Sequence, residues 1–150
     1  VSWGSEMCIR DRINSDSYEK HDTGDGHPER PERVVAITEK LKKRNDLIWD
    51  KPKTFDLDIL KKVHDEKYID MVQKSFPKEG LKFLDGDTVI SPGSEKATRE
   101  AVGSILKAID SVEQKKYKNF IFALILKATK IFIENIKGTL WRSKSISFNI

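Results

Sequence analysis

Cysteine is almost missing from this chain. Cys8 is the single one in 150 residues, which excludes an intramolecular disulfide and a cysteine-based zinc finger. Long apolar runs are missing as well. Nothing approaches the ~18 residues that cross a bilayer, and no basic patch leads into an apolar stretch and a small-residue cleavage site. No membrane partner and a cytoplasmic location are therefore expected. Gly-x-Gly-x-x-Gly, a Walker loop, a Gly-x-Ser-x-Gly elbow and His-Glu-x-x-His are all absent. Histidine is scarce: there are 3, and none follows His64. Excess charge is confined to one end. The net charge is +4, yet Lys127–Ile150 holds five basic residues and one acid, so residues 1–126 balance at zero. A nucleic-acid surface needs clustered positive charge to release counterions, so nucleic acid is not an expected partner.

What is present suits a globular domain. Hydrophobic residues make up 37% and charged residues 35%, polar but not depleted enough for wholesale disorder. Residues 1–12 show neither a 3.6 nor a 2.0 apolar period and are expected to be a non-native leader without regular structure. Residues 13–126 read as one coherent portion of a domain. His21–Pro28 is a loop, because glycines, proline and Asx residues favour turns. Pro31 suits the first turn of a helix, with Val34, Ile37 and Leu41 as its buried stripe to about Arg44. Asp46–Phe55 reads as an edge strand interrupted by Pro52. A second helical stretch starts near Asp56 or Asp58, passes Leu60 and Val63, and continues through Tyr68, Ile69, Val72 and Phe76 to Pro77. Gly80–Gly93 reads as loop. Ser94 caps a third helix, with Ala101, Ile105, Ile109 and Val112 on one face. The apolar run Phe120–Leu126 then suggests a strand buried on both faces of a parallel sheet, with a buried helix segment as the alternative that periodicity leaves open. Residues 127–150, rich in Ile, Lys, Phe and Asn, are expected to be an out-of-frame or disordered tail. The alternation gives an α/β fold class, helices flanking an incomplete, mainly parallel sheet.

Reactive side chains concentrate at three places. His21, Asp22, Asp25 and His27 crowd one loop, and Asp25-Gly26-His27 has a spacing that presents a carboxylate and an imidazole to one metal ion. The same groups also suit turn and helix capping. Arg30 and Arg33 flank a helix start, where the dipole disfavours cations, so at least one is expected to point into a pocket and pair with a carboxylate, with a solvent-facing side chain favoured for Arg30. His64 and Tyr68 are four apart and share a helix face. Asp85-Gly86-Asp87-Thr88 puts two carboxylates on a glycine-bearing loop, where they can hold a cation, cap the next element or grip a ligand's N–H groups.

The run His21-Asp-Thr-Gly-Asp-Gly-His-Pro-Glu-Arg-Pro-Glu-Arg33, then Val63-His-Asp-Glu-Lys-Tyr-Ile69, then Phe83-Leu-Asp-Gly-Asp-Thr-Val-Ile-Ser-Pro-Gly-Ser94, resembles the histone deacetylase superfamily. The class II-like, acetylpolyamine amidohydrolase and acetoin-utilisation branch is the most similar. The resemblance implies an arginase-like α/β fold and hydrolysis of acetyl-amide bonds on acetyl-lysine or acetylpolyamine substrates. It also implies one zinc ion that polarises the carbonyl and activates water while histidines handle protons. Carried over by position, Asp87 matches the rim aspartate that accepts hydrogen bonds from substrate backbone. Arg33 matches the arginine at the foot of the acetyl pocket. His27, Pro28, His64 and Tyr68 match architectural motif positions.

The departures are as informative. After Asn119 and its apolar strand the family carries Arg-Pro-Pro-Gly-His-His, the acid/base histidine pair, followed by an Asp-x-His and a later Asp as zinc ligands. Here Ile125-Leu-Lys-Ala-Thr-Lys130 follows instead, with no further histidine. Asp25-x-His27 lies upstream in a different loop and is not their equivalent. The expectation is therefore an N-terminal fragment of a deacetylase with no catalytic residue, no metal ligand, no bound zinc and no activity of its own. A non-catalytic binding module whose basic tail meets acidic partners is the alternative. A small enzyme with a metal at His21, Asp25 and His27 is a third reading.

Overall fold

Strands and helices alternate along the chain, and the computed structural model describes residues 10–114 and 119–122. Strand β1 (Arg10–Ile13) lies in the middle of a three-stranded sheet, between β2 (Leu47–Asp50) and β5 (Asn119–Phe122), and both pairings are parallel. Ile13 faces Asp50 on one side and Phe122 on the other in the ladder register. The parallel sheet is the one the sequence leads to expect. The edge position of β2 also agrees, and the strand stops before Pro52, which has no N–H for a ladder.

The start of the sheet departs from expectation. Arg10–Arg12, assigned to an unstructured leader ending at residue 12, form most of β1. Their polar side chains erase the apolar period, yet Arg12 and Ile13 are fully buried. The last four residues of the expected 120–126 strand, the burial of its side chains, and residues 127–150 lie outside the described residues.

Helix α1 (Pro31–Lys42) begins on the proline, as the missing N–H allows. Its inward face is Val34 with Thr38 one turn on, whereas Ile37, expected in that stripe, is 46% exposed. The stretch from Asp56 to Pro77 is two pieces. Asp56 caps a 3-10 helix over Leu57–Lys62, and Asp65 caps helix α2 (Glu66–Ser75), each carboxylate accepting from the backbone N–H two residues on. A second capping aspartate restarts the winding.

The expected Gly80–Gly93 loop contains a short antiparallel hairpin, β3 (Lys82–Phe83) with β4 (Val89–Ile90). Two-residue strands are too short to show a period. Helix α3 (Ser94–Glu113) starts one step earlier in its bonding than a Ser94 cap implies: the Ser94 N–H donates to the Ser91 carbonyl, and Ala97 N–H to that of Gly93. Ser94 Oγ reaches back to accept from the Ser91 N–H at 2.8 Å, a capping-box arrangement with serine in the acceptor role.

Two buried clusters hold these pieces, and α3 joins both. Tyr18, Val34, Ala97 and Ala101 form one; Leu60, Ile69, Val72 and Val102 form the other, with Phe55, Tyr68, Phe76 and Leu106 packed on it. Full burial of each large aliphatic side chain contributes about 1.5–3 kcal/mol. Lys107 Nζ pins α3 to the end of β2 through Asp50 at 2.6 Å and the Lys51 carbonyl at 2.8 Å. No helix among the described residues is long and apolar enough to cross a membrane.

Candidate functional site

The loop from His21 to Arg30 is built by its own polar groups. Positive φ at Gly24 and Gly26 turns the backbone where a side chain would be strained. The Asp22 carboxylate accepts from the Gly24 N–H at 2.8 Å, and the Asp22 N–H donates to Ser91 Oγ at 3.0 Å, tying the loop to the start of α3. Thr23 Oγ1 donates to the Glu29 carbonyl, closing the loop on itself. His21 is 1% exposed, with Nδ1 2.6 Å from Ser94 Oγ. Burial, and then the nearby His27, hold its pKa at about 4, with Asp22 opposing them weakly. It is a neutral packing histidine, locked into the α3 cap.

His27 stands at the other end of the loop and reaches across the molecule. The Glu29 N–H donates to its Nδ1 at 3.1 Å, and Nε2 lies 3.3 Å from the Asp87 carbonyl oxygen. In the facing loop one Asp85 oxygen accepts from both the Asp87 N–H, at 3.0 Å, and the Thr88 N–H, at 2.8 Å. The Leu84 N–H closes the turn on the Thr88 carbonyl at 2.9 Å. The backbone bonds from Asp87 and Thr88 lower the Asp85 pKa. Of the roles open to this acidic pair, Asp85 is thus a turn cap, and Asp87 is the exposed carboxylate the turn presents.

The third motif segment stands beside the same turn. The rings of His64 and Tyr68 are 5.5 Å apart and tilted by 31°, as their shared face requires. Burial first, then the Asp85 carboxylate, raises the Tyr68 pKa. His27, Tyr68, Asp85 and Asp87 are therefore neighbours, although they come from three separate stretches.

Arg30 faces solvent, as favoured for it, and among the described residues Arg33 does not form the carboxylate pair expected at this helix start. Arg30 is the exposed residue preceding α1, and Arg33 is exposed with Nη1 donating to the Pro28 carbonyl at 3.3 Å. Among the described residues neither forms an ion pair with a carboxylate; a backbone carbonyl takes the Arg33 donor, and solvent is open to both. The buried charged residue of this segment is Glu29, 7% exposed, which pattern reading passed over. Ser91 was passed over too, the cap having been read at Ser94. Its signal was present in the Ser-Pro-Gly-Ser run, whose proline at the first helical turn marks Ser91 as the cap.

The metal reading at His21, Asp25 and His27 fails. His21 is buried against Ser94 and His27 is engaged with Glu29 and Asp87. Among the described residues no group of three or more His, Cys, Asp or Glu side chains is placed to hold a metal ion. These residues do not fit zinc.

Known proteins share this frame. The sequence model of the histone deacetylase domain matches residues 27–126. An uncharacterized protein of Synechocystis sp., slr0245, is 35% identical over 117 residues, covering 74% of this chain and 38% of the relative. The crystal structure of the HDA15 HD domain superimposes with a TM-score of 0.69 at 19% identity, covering 79% of this chain and 35% of that one. The chain thus spans well under half the length of either relative, and its α/β architecture is that of a partial deacetylase-like fold. With the motif loops converging at one place and the domain match running through them, the chain belongs to the histone deacetylase family.

Proposed function

We propose that this chain forms part of the substrate-binding wall of an acetyl-amide hydrolase, acting on acetyl-lysine or acetylated polyamines, and that Asp87 accepts hydrogen bonds from the substrate. The supporting observation is the Asp85–Thr88 turn: its own N–H groups are taken up by Asp85, and it presents Asp87 at the surface beside the His27 loop. A charged acceptor makes hydrogen bonds about twice as strong as a neutral one, which suits gripping an extended backbone or a polyamine N–H. Arg33 is proposed at the foot of the acetyl pocket, with Pro28, whose carbonyl it bonds, His64 and Tyr68 as framework. The class II-like, acetylpolyamine and acetoin-utilisation branch is the one proposed for it, on the motif residues of the sequence.

In this family a zinc ion polarises the amide carbonyl and activates water. The described residues do not fit that ion, and no step of the cleavage is assigned to them. The sequence has no histidine pair after its Asn119 strand, so the chain is proposed to be inactive alone. Two measurements on the purified chain test this. Elemental analysis and a deacetylation assay on an acetyl-lysyl peptide are expected to show no stoichiometric zinc and no turnover; the opposite result overturns the proposed inactivity. Asp87→Asn is expected to weaken peptide binding, and unchanged binding removes Asp87 from the role.

A further inference from the structure

Two loops far apart in sequence meet through one side chain. His27 belongs to the 21–30 loop, yet its ring ends against the main chain of Asp87 in the 84–88 turn. The proton position follows from the partners. The Glu29 N–H has no choice but to donate, and its acceptor is Nδ1. The Glu29 carbonyl lies 3.0 Å from the same Nδ1 and also accepts from Thr23 Oγ1. With Nδ1 accepting from the Glu29 N–H, the proton sits on Nε2 and points at the Asp87 carbonyl. A ring protonated on Nδ1 alone would turn to the Glu29 carbonyl and leave a bare Nε2 against the Asp87 oxygen, with no tie between the two loops.

We propose that His27, in its Nε2–H form, is a positioning residue for Asp87: a strut that fixes the turn on which the substrate-gripping carboxylate is carried. The inference rests on the functional reading of Asp87 but adds a role for a residue otherwise counted as framework. Asp85 holds the turn from within, through the N–H groups of Asp87 and Thr88. Those bonds set the curvature of the turn but not its place on the body of the protein. His27 supplies the outside tie, to the carbonyl of the residue whose side chain does the gripping. A strut also converts a flexible acceptor into a preorganised one, so less ordering is left for the bound state.

The test uses the isotopically labelled 150-residue chain. Ring-nitrogen NMR of His27 is expected to show the Nε2–H tautomer at neutral pH. In His27→Ala, amide exchange at Asp87 and Thr88 is expected to speed up roughly tenfold, the scale of one lost hydrogen bond, while α3 amides keep their protection. His27→Gln, whose amide N–H reaches a similar point, is expected to restore slow exchange. A proton on Nδ1, or loop exchange unchanged in His27→Ala, overturns the strut. Should the alanine variant fail to fold, the wild-type ring spectrum and the glutamine variant still decide. Titration with an acetyl-lysyl peptide separates the two layers. Shifts at Asp87 and Thr88 support both, with His27→Ala reducing the affinity several-fold. No shift at the loop overturns the functional reading, whereas a shift with the strut's signatures absent overturns only the role of His27.

Discussion

His21 carries the pH response of the fold. Burial keeps its ring neutral with a pKa of about 4, against 6.5 in an open chain. Between those values the unfolded chain binds the extra proton, so stability is full above about pH 6.5 and falls as pH drops toward 4, by roughly 3 kcal/mol in all. Urea unfolding at pH 7 and pH 4.5 measures the drop, and His21→Gln should flatten this part of it. Arg12 is the opposite kind of buried group. Its side chain is fully buried, and among the described residues its nitrogens have no hydrogen-bond partner. Desolvation pulls its pKa down to about 10. Stacking 4.7 Å over Trp49 returns at most about 2 kcal/mol, less than the several kcal/mol lost by removing an ion from water. Arg12→Met should therefore raise the unfolding free energy by about 1 kcal/mol or more, seen as a higher urea midpoint. At this scale the sequence was readable where a residue's type dictates its partner. Capping was among the roles that Asp85 beside Gly86 and Thr88 left open, and His64 four before Tyr68 gave the shared face on which the rings meet. Arg33 was not readable, because a guanidinium can donate to carbonyls and water as well as to carboxylates.

Among the elements, α3 shows how a helix can need glycine in its interior. A Cβ on Gly103 would stand 2.1 Å from the Lys53 carbonyl oxygen. Alanine normally gains about 1 kcal/mol over glycine inside a helix. Here the segment after β2 must be pushed aside, and overpacking of that kind costs about 1–3 kcal/mol. Gly103→Ala should destabilise, and it should loosen the Lys107 contacts with Asp50 and Lys51 at the same time. Chemical denaturation gives the first and exchange in residues 50–53 the second. The same paragraph of chain explains which elements the pattern revealed. Long helices with flanking caps, α1 and α3, were legible from Pro31 and the Ser91–Ser94 run. β1 was not, since a strand reading Arg-Asp-Arg-Ile offers no alternation, and its membership of the sheet is decided by β2 and β5 on either side. The β3–β4 hairpin was invisible for want of length.

For the whole molecule, charge distribution limits the partners. Residues 1–126 are neutral overall, so any attraction to polyanions must come from Lys127–Ile150. Removing that segment should abolish any salt-dependent DNA or RNA mobility shift; a shift that persists would place the binding surface in residues 1–126 and overturn this charge argument. The central place of β1 has one more consequence, for the order of events during synthesis. Its ladders pair Arg10 with Leu47 and with Asn119, partners that leave the ribosome far apart in time. One flank of the strand is zipped early, while the other waits for most of the described chain to emerge. High contact order of this kind slows folding, so the nascent chain passes through a stage in which β1 shows one bare edge to chaperones and to its own siblings.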